Sequence, residues 1–283
     1  MGVKRPMGRP ATHPEWRRGT TRRRLPGSGC GRTFPIPPAS FRTPRNPVAR
    51  IPEIIAHRGT PRECLENTID SFRRAMAQGA DAIELDVHAT SDGVVVVHHD
   101  PVLRVSTGAA SDLVPIVSMT ADEVARVTLA GGAQVPRLDD VLDLARAEGG
   151  TRFTTYVEVK APAIEDVLIA CLDRHPDVRT AVHAFDHRIP VAVRARRPGT
   201  PIGLLSTSYP VRLEGFVGST GADAFWQQGQ LIDAALVRDT HALGMRLIAW
   251  TVNDPAHAAQ LVSLGVDALC TDMPGLLRSA LGS

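Results

Sequence analysis

EIIAHRGTPRECLENTIDSFRRAMAQGADAIELDVH, residues 53–88, reads as strand, helix and strand in immediate succession. Residues 53–57 form a short apolar run that ends in His57-Arg58-Gly59. Residues 67–78 place Ile69, Phe72, Arg73 and Met76 at helical spacing, with Gly79 as the stop. Residues 81–88 return to an apolar strand pattern. After the turn signal Ser91-Asp92-Gly93, residues 94–98 give a further extended segment.

The same alternation continues outward to the end of the chain. Strands are predicted at 152–160, 178–184, 202–205, 222–226, 245–251 and 267–270. Helices are predicted at 138–147, 163–174, 187–196, 211–219, 233–243, 256–264 and 276–281. Close to eight strand–helix repeats in this length match a single (β/α)8 TIM barrel better than an open doubly wound sheet. No strand is followed by a dinucleotide fingerprint or a Walker-type glycine loop. Residues 101–137 are too long and irregular for one barrel loop and are expected to be a small insertion after the second strand, on the catalytic face.

The barrel domain is expected over residues 49–283, preceded by a disordered basic extension over residues 1–48. Residues 1–50 hold 12 of the 32 Lys and Arg, one acid (Glu15) and nine of the 22 prolines, with no periodic apolar pattern. The other 233 residues hold 20 bases and 29 acids, so the folded part is acidic and offers no basic surface for nucleic acid. Arg22-Arg23-Arg24 is followed by no apolar stretch, which argues against an export signal. The four cysteines show no ligand spacing, as expected of a reduced cytoplasmic protein. No apolar run is long enough for membrane insertion. Nothing in the sequence fixes an oligomeric state.

A barrel builds its site from the C-terminal ends of its strands. Those ends carry His57 and Arg58; Glu84, Asp86 and His88; His98, His99 and Asp100; Glu158 and Lys160; and Trp250, Thr251 and Asn253. Glu84 and Asp86 are two apart and share one strand face, as do Glu158 and Lys160. Paired carboxylates repel unless a cation or proton lies between them. Three carboxylates without cysteine favour a hard divalent cation, Mg²⁺ or Ca²⁺, over zinc; a structural ion-pair network with Arg58 and Lys160 is the alternative. His57 and His99 have the pKa range of a general acid and base. Arg58 and Lys160 suit a phosphate. His88 and His98 are expected to be bystanders, turned away by strand alternation.

Seven motifs in this order resemble the glycerophosphodiester phosphodiesterase family. They are HRG at 57–59, ENT at 66–68, E-x-D at 84–86, HD at 99–100, E-x-K at 158–160, WTVND at 250–254 and TDMP at 271–274. The resemblance spans about residues 51–281. It implies a TIM barrel that hydrolyses glycerophosphodiesters to glycerol 3-phosphate and an alcohol with a divalent metal. It also implies His57 and His99 as the catalytic pair, with Arg58 and Lys160 on the phosphate. Glu84, Asp86 and Glu158 would be metal ligands, with Glu66 as a further candidate; Asn67 would serve loop hydrogen bonding and Trp250 an apolar substrate wall. Where the family often has Ser-Phe-Asp, this chain has Ala184-Phe185-Asp186, a departure expected to bear on packing. A lipid-directed phospholipase and a catalytically inert binding barrel are the rival readings. The low aromatic content, 4%, weighs against the first and the intact motif set against the second.

Overall fold

Eight parallel strands close on themselves in the computed structural model, which describes residues 52–106 and 111–282. The disorder expected for residues 1–48 lies outside the described residues. The barrel strands are β1 (Glu53–His57), β2 (Ala82–Ala89), β6 (Thr154–Val159), β7 (Arg179–Ala184), β8 (Ile202–Ser206), β9 (Ala224–Gln228), β10 (Arg246–Trp250) and β11 (Ala268–Thr271). Each pairs with the next, and β1 pairs with both β2 and β11, which completes the ring. The return helices are α1 (Ile69–Ala77), α3 (Leu138–Leu144), α4 (Glu165–Arg174), α5 (Arg188–Arg196), α6 (Leu213–Val217), α7 (Ala234–Ala242), α8 (Pro255–Leu264) and α9 (Pro274–Ala280). This is the TIM barrel that the sequence predicts.

Alternation along the strands sorts the side chains. Ile55, Ala82, Tyr156, Ala181, Trp226, Ile248 and Cys270 fill the barrel interior. The opposite parity, such as Ile54, Leu204, Phe225, Leu247 and Leu269, packs outward under the helices. Ala184 is also fully buried on that outer side, so the Ala-for-Ser departure is a packing difference. At the N-terminal end Glu53, Tyr156 and Arg246 tie three strands together, with Tyr156 donating to Glu53 at 3.1 Å and Arg246 donating to Tyr156 at 3.0 Å. The barrel floor is thus a satisfied polar plug, and the chemistry is left to the other end.

Helix α1 begins two residues later than its pattern suggests. Asn67 has φ +57°, outside helical space, and Thr68 caps the helix by accepting from the Ser71 N–H. After α3 the chain continues in a wider π turn over Ala145–Gly149.

Residues 101–137, expected to be irregular, contain more order than the sequence suggests. β3 (Val95–Val97) runs antiparallel to the end of β2, and beyond it β4 (Val102–Ser106) and β5 (Ser111–Pro115) form a hairpin. A one-turn helix, α2 (Ala121–Ala125), follows with a Thr120–Glu123 capping box. Val96, Leu103, Ile116, Met119, Val124, Val127 and Val135 give this insertion its own small core. Because it grows from the C-terminal end of β2, it stands on the same face as the functional strand ends.

Candidate active site

The site starts from a backbone contortion after β1. Arg58 has φ +54° and Gly59 φ +89°, so the chain turns sharply out of the strand. A left-handed non-glycine residue costs about 1–2 kcal/mol, and such strain tends to gather at functional sites. Here it lets the Arg58 N–H donate to the Glu84 carbonyl at 2.9 Å and the Glu84 carboxylate at 3.2 Å. Gly59 is needed for a close approach: a Cβ there would lie 2.3 Å from Ser71 Oγ and 2.6 Å from the Ser71 carbonyl carbon.

Glu84 and Asp86, on one face of β2, are 2% and 0% exposed. Asp86 sits opposite Glu158 in the β2–β6 register. Its Oδ2 accepts from Asn67 Nδ2 at 2.9 Å and lies 3.0 Å from Arg58 Nε. Its Oδ1 is 3.4 Å from Lys160 Nζ. Burial pushes the Asp86 carboxyl up, but Arg58 and Lys160 outweigh it and hold the pKa below the ordinary carboxylate range. Glu158 moves the other way, raised by burial and by the charges of Asp86 and Glu84, although Lys160 Nζ donates to its Oε1 at 2.8 Å. Glu66 is more exposed and accepts from Arg58 Nη1 at 3.0 Å.

His57 Nδ1 donates to Asp272 Oδ1 at 2.7 Å. Burial lowers the imidazole pKa, but the Asp272 hydrogen bond and the Glu84 charge more than offset it, leaving His57 above its ordinary value. His99 is held by Asp100, with Nδ1 and Oδ1 2.8 Å apart. Both imidazoles therefore keep Nε2 available for proton exchange. His88 shares the face of Glu84 and Asp86, so alternation does not turn it away as expected; its Nε2 meets the His99 carbonyl at 3.1 Å. It supports the His99 segment, and burial lowers its pKa. His98 contributes a backbone N–H to the Asp86 carbonyl at 3.0 Å. Trp250 packs edge-to-face on Phe185, ring centres 5.5 Å apart.

Two neighbours of the site were not read from the sequence. Asp272 appears there only within TDMP, and what makes it matter is its place after β11, beside β1. His183 lies in an ordinary apolar strand, and only its inward parity with Ala181 and Phe185 hints at its position. Asn67 has a sharper role than loop bonding, since its left-handed backbone aims the amide at Asp86.

The donor set fits a divalent cation. Three buried carboxylates face two fixed cations, and Asp86 Oδ1 is buried with no hydrogen bond among the described residues. Such a cation would balance the charge that raises the Glu158 pKa.

A closed barrel with imidazoles, a guanidinium, an ammonium and acidic donors gathered at its strand ends defines a phosphoric ester hydrolase. The model of the glycerophosphoryl diester phosphodiesterase family matches residues 57–276. A glycerophosphodiester phosphodiesterase of Caldanaerobacter subterraneus subsp. tengcongensis is 30% identical over 245 residues, covering 79% of this chain and 95% of that protein. A solved glycerophosphodiester phosphodiesterase of Parabacteroides distasonis superposes with a TM-score of 0.70 at 26% identity, covering 81% and 96% of the two chains. A shorter stretch of 76 residues, 27% of this chain and 23% of the relative, is 46% identical to mouse lysophospholipase D GDPD3. The chain belongs to the glycerophosphodiester phosphodiesterase family and is a hydrolase of that class.

Proposed function

We propose that this hydrolase cleaves small glycerophosphodiesters to glycerol 3-phosphate and an alcohol, using a divalent cation, Mg²⁺ or Ca²⁺, and a pair of histidines. The observation that carries this reading is the charge imbalance of Glu84, Asp86 and Glu158 against Arg58 and Lys160. A site with uncompensated negative charge repels a phosphodiester. The same site with a divalent cation attracts one. Glu84, Asp86 and Glu158 would hold the ion, with Glu66 at the outer edge of the Arg58 cluster. When bound, the cation neutralises phosphoryl oxygens in the ground and transition states.

The chain's own residues supply the remaining steps. Arg58 and Lys160, fixed in place by Asp86, bind the phosphate and offset the charge that grows on its oxygens. One imidazole, His57 or His99, removes a proton from the nucleophile through Nε2, and the other delivers a proton to the departing alkoxide. Asp272 holds the tautomer of His57, and Asp100 that of His99. Trp250 and Phe185 line the entrance as an apolar wall.

A lysophospholipid is the second reading. Leu65, Phe185, Tyr209 and Val211 are exposed apolar side chains on loops that follow β1, β7 and β8, hence on the face of the site. No helix among the described residues is long and apolar enough to cross a membrane. The deciding assay uses metal-stripped protein with Mg²⁺, Ca²⁺ and Mn²⁺ restored singly, on glycerophosphocholine, glycerophosphoethanolamine and a lysophospholipid. Turnover of the first two substrates only with metal supports the principal reading. Preference for the third moves the assignment to the lipid, and no turnover of any substrate overturns both.

A further inference from the structure

His183 is an imidazole sealed inside the barrel at 1% exposure, on the inward face of β7. A buried polar ring is costly unless its nitrogens are engaged. Its Nδ1 finds no hydrogen-bond partner among the described residues. Its Nε2 lies 3.7 Å from Glu84 Oε1, too far for a hydrogen bond. The ring is nonetheless held firmly. It stacks on Trp226 with centres 4.4 Å apart and planes within 4°, and Tyr156 closes the edge at 6.3 Å.

That stack depends on Gly203 of the neighbouring strand. A Cβ at position 203 would come within 2.6 Å of Trp226 Nε1 and 3.2 Å of His183 Cβ. An immobilised ring that aims a nitrogen at two buried carboxylates, without bonding to either, has the arrangement of a ligand. Glu84, Glu158 and His183 each offer one donor atom, and those atoms all lie within 4.8 Å of one another. The 3.7 Å between His183 Nε2 and Glu84 Oε1 lies within the roughly 4.0–4.4 Å that two donors can span across one ion bound at about 2.0–2.2 Å from each. Asp86 lies outside this 4.8 Å group, but its Oδ1, without a hydrogen bond among the described residues, stands opposite Glu158 on the neighbouring strand and remains open to the same ion.

We propose that His183 is a further, nitrogen ligand, through Nε2, of the divalent cation held by Glu84, Asp86 and Glu158. This rests on the metal-dependent reading given above and refines it: the ion meets a mixed nitrogen–oxygen set. Imidazole favours transition metals, whereas Ca²⁺ and Mg²⁺ prefer oxygen. The site is therefore better matched to Mn²⁺ or a similar first-row ion than its carboxylates alone suggest.

The test uses the full chain, stripped of metal and titrated with Mn²⁺, which is both ligand and spectroscopic probe. Calorimetry gives the Kd, and pulsed electron paramagnetic resonance reports ¹⁴N coupling from a directly bound imidazole. The expected result is a nitrogen coupling in the wild type that disappears in His183→Gln. Mn²⁺ affinity should weaken about 10–100-fold, the scale on which disturbed metal shells respond, and Ca²⁺ affinity should weaken less. Circular dichroism checks the fold of the variant. If His183→Gln does not fold, wild-type protein labelled with ¹⁵N-histidine still decides whether an imidazole is bound. Mn²⁺ binding without nitrogen coupling, or with coupling that survives in a folded His183→Gln, overturns the His183 assignment while the metal reading stands. No Mn²⁺, Mg²⁺ or Ca²⁺ binding to the wild type overturns both.

Discussion

His57 Nδ1 and Asp272 Oδ1 are 2.7 Å apart, across the seam where β1 pairs with β11. These residues are separated by almost the whole barrel in sequence, and only closure of the ring joins them. Asp272 is itself held from both sides: Asn253 Nδ2 donates to its Oδ2 at 2.7 Å, and its own N–H donates to Asn253 Oδ1 at 2.8 Å. The carboxylate therefore selects the His57 tautomer and raises its basicity.

Asp272→Asn keeps the shape but removes the charge, and it should lower kcat by about 10²- to 10⁴-fold, the usual range for lost acid–base function. With Asp272 neutral, burial is less well opposed and the His57 pKa falls. The limb of the pH–rate profile that belongs to His57 should accordingly move to lower pH, whichever proton transfer His57 performs. An unchanged profile with reduced kcat would mean that Asp272 is only structural.

His57→Ala and His99→Ala should each reduce kcat by orders of magnitude while the barrel remains folded. Neither side chain is part of the apolar cores, so thermal unfolding should change little. Steady-state kinetics with circular dichroism checks both parts. Near wild-type turnover in either variant removes the two-histidine scheme.

Gly59→Ala should destabilise the protein by about 1–3 kcal/mol, the range for an overpacked site. The new Cβ would clash with Ser71, and φ is +89° at this position. Denaturant unfolding measures the loss. Because Arg58 precedes it, kcat should fall as well.

Asp139 predicts a pH-dependent stability remote from the site. Its Oδ1 accepts from His175 Nε2 at 2.9 Å, and its Oδ2 accepts from Arg174 Nη2 at 2.8 Å. Burial raises its carboxyl, but the Arg174 and His175 bonds prevail and hold it low. A depressed carboxylate stabilises the fold fully above its unfolded pKa, near 4, and this contribution is lost as pH falls through the lower folded value. Asp139→Asn should thus cost about 1–3 kcal/mol at neutral pH, and the gap to wild type should close below about pH 4. Urea melts at pH 7 and pH 3 make the comparison. A gap that stays constant with pH would exclude the charge as its source.

Much of this architecture is legible in the sequence alone. The strand–helix alternation places each barrel strand within two residues of its observed bounds, because hydrophobic period and glycine or proline stops are local signals. The i, i+2 spacing of Glu84 and Asp86, and of Glu158 and Lys160, sets each pair on one face for the same reason. The β4–β5 hairpin is not legible in the sequence because its strands are largely exposed and interrupted by polar residues, so alternation there is faint. Alternation does not turn His88 away from the site, because it stands four and two residues from Glu84 and Asp86 on the same strand.

What the sequence determined by itself is the set of elements and the inventory of reactive groups at the strand ends, since both follow from spacing along the chain. Only the tertiary structure decided which groups meet. Ring closure brings Asp272 to His57, and the β2–β6 register sets Asp86 opposite Glu158. The small Gly203 of β8 lets Trp226 and His183 stack beneath the carboxylates. Those meetings depend on register and packing between distant segments, and no local pattern encodes them.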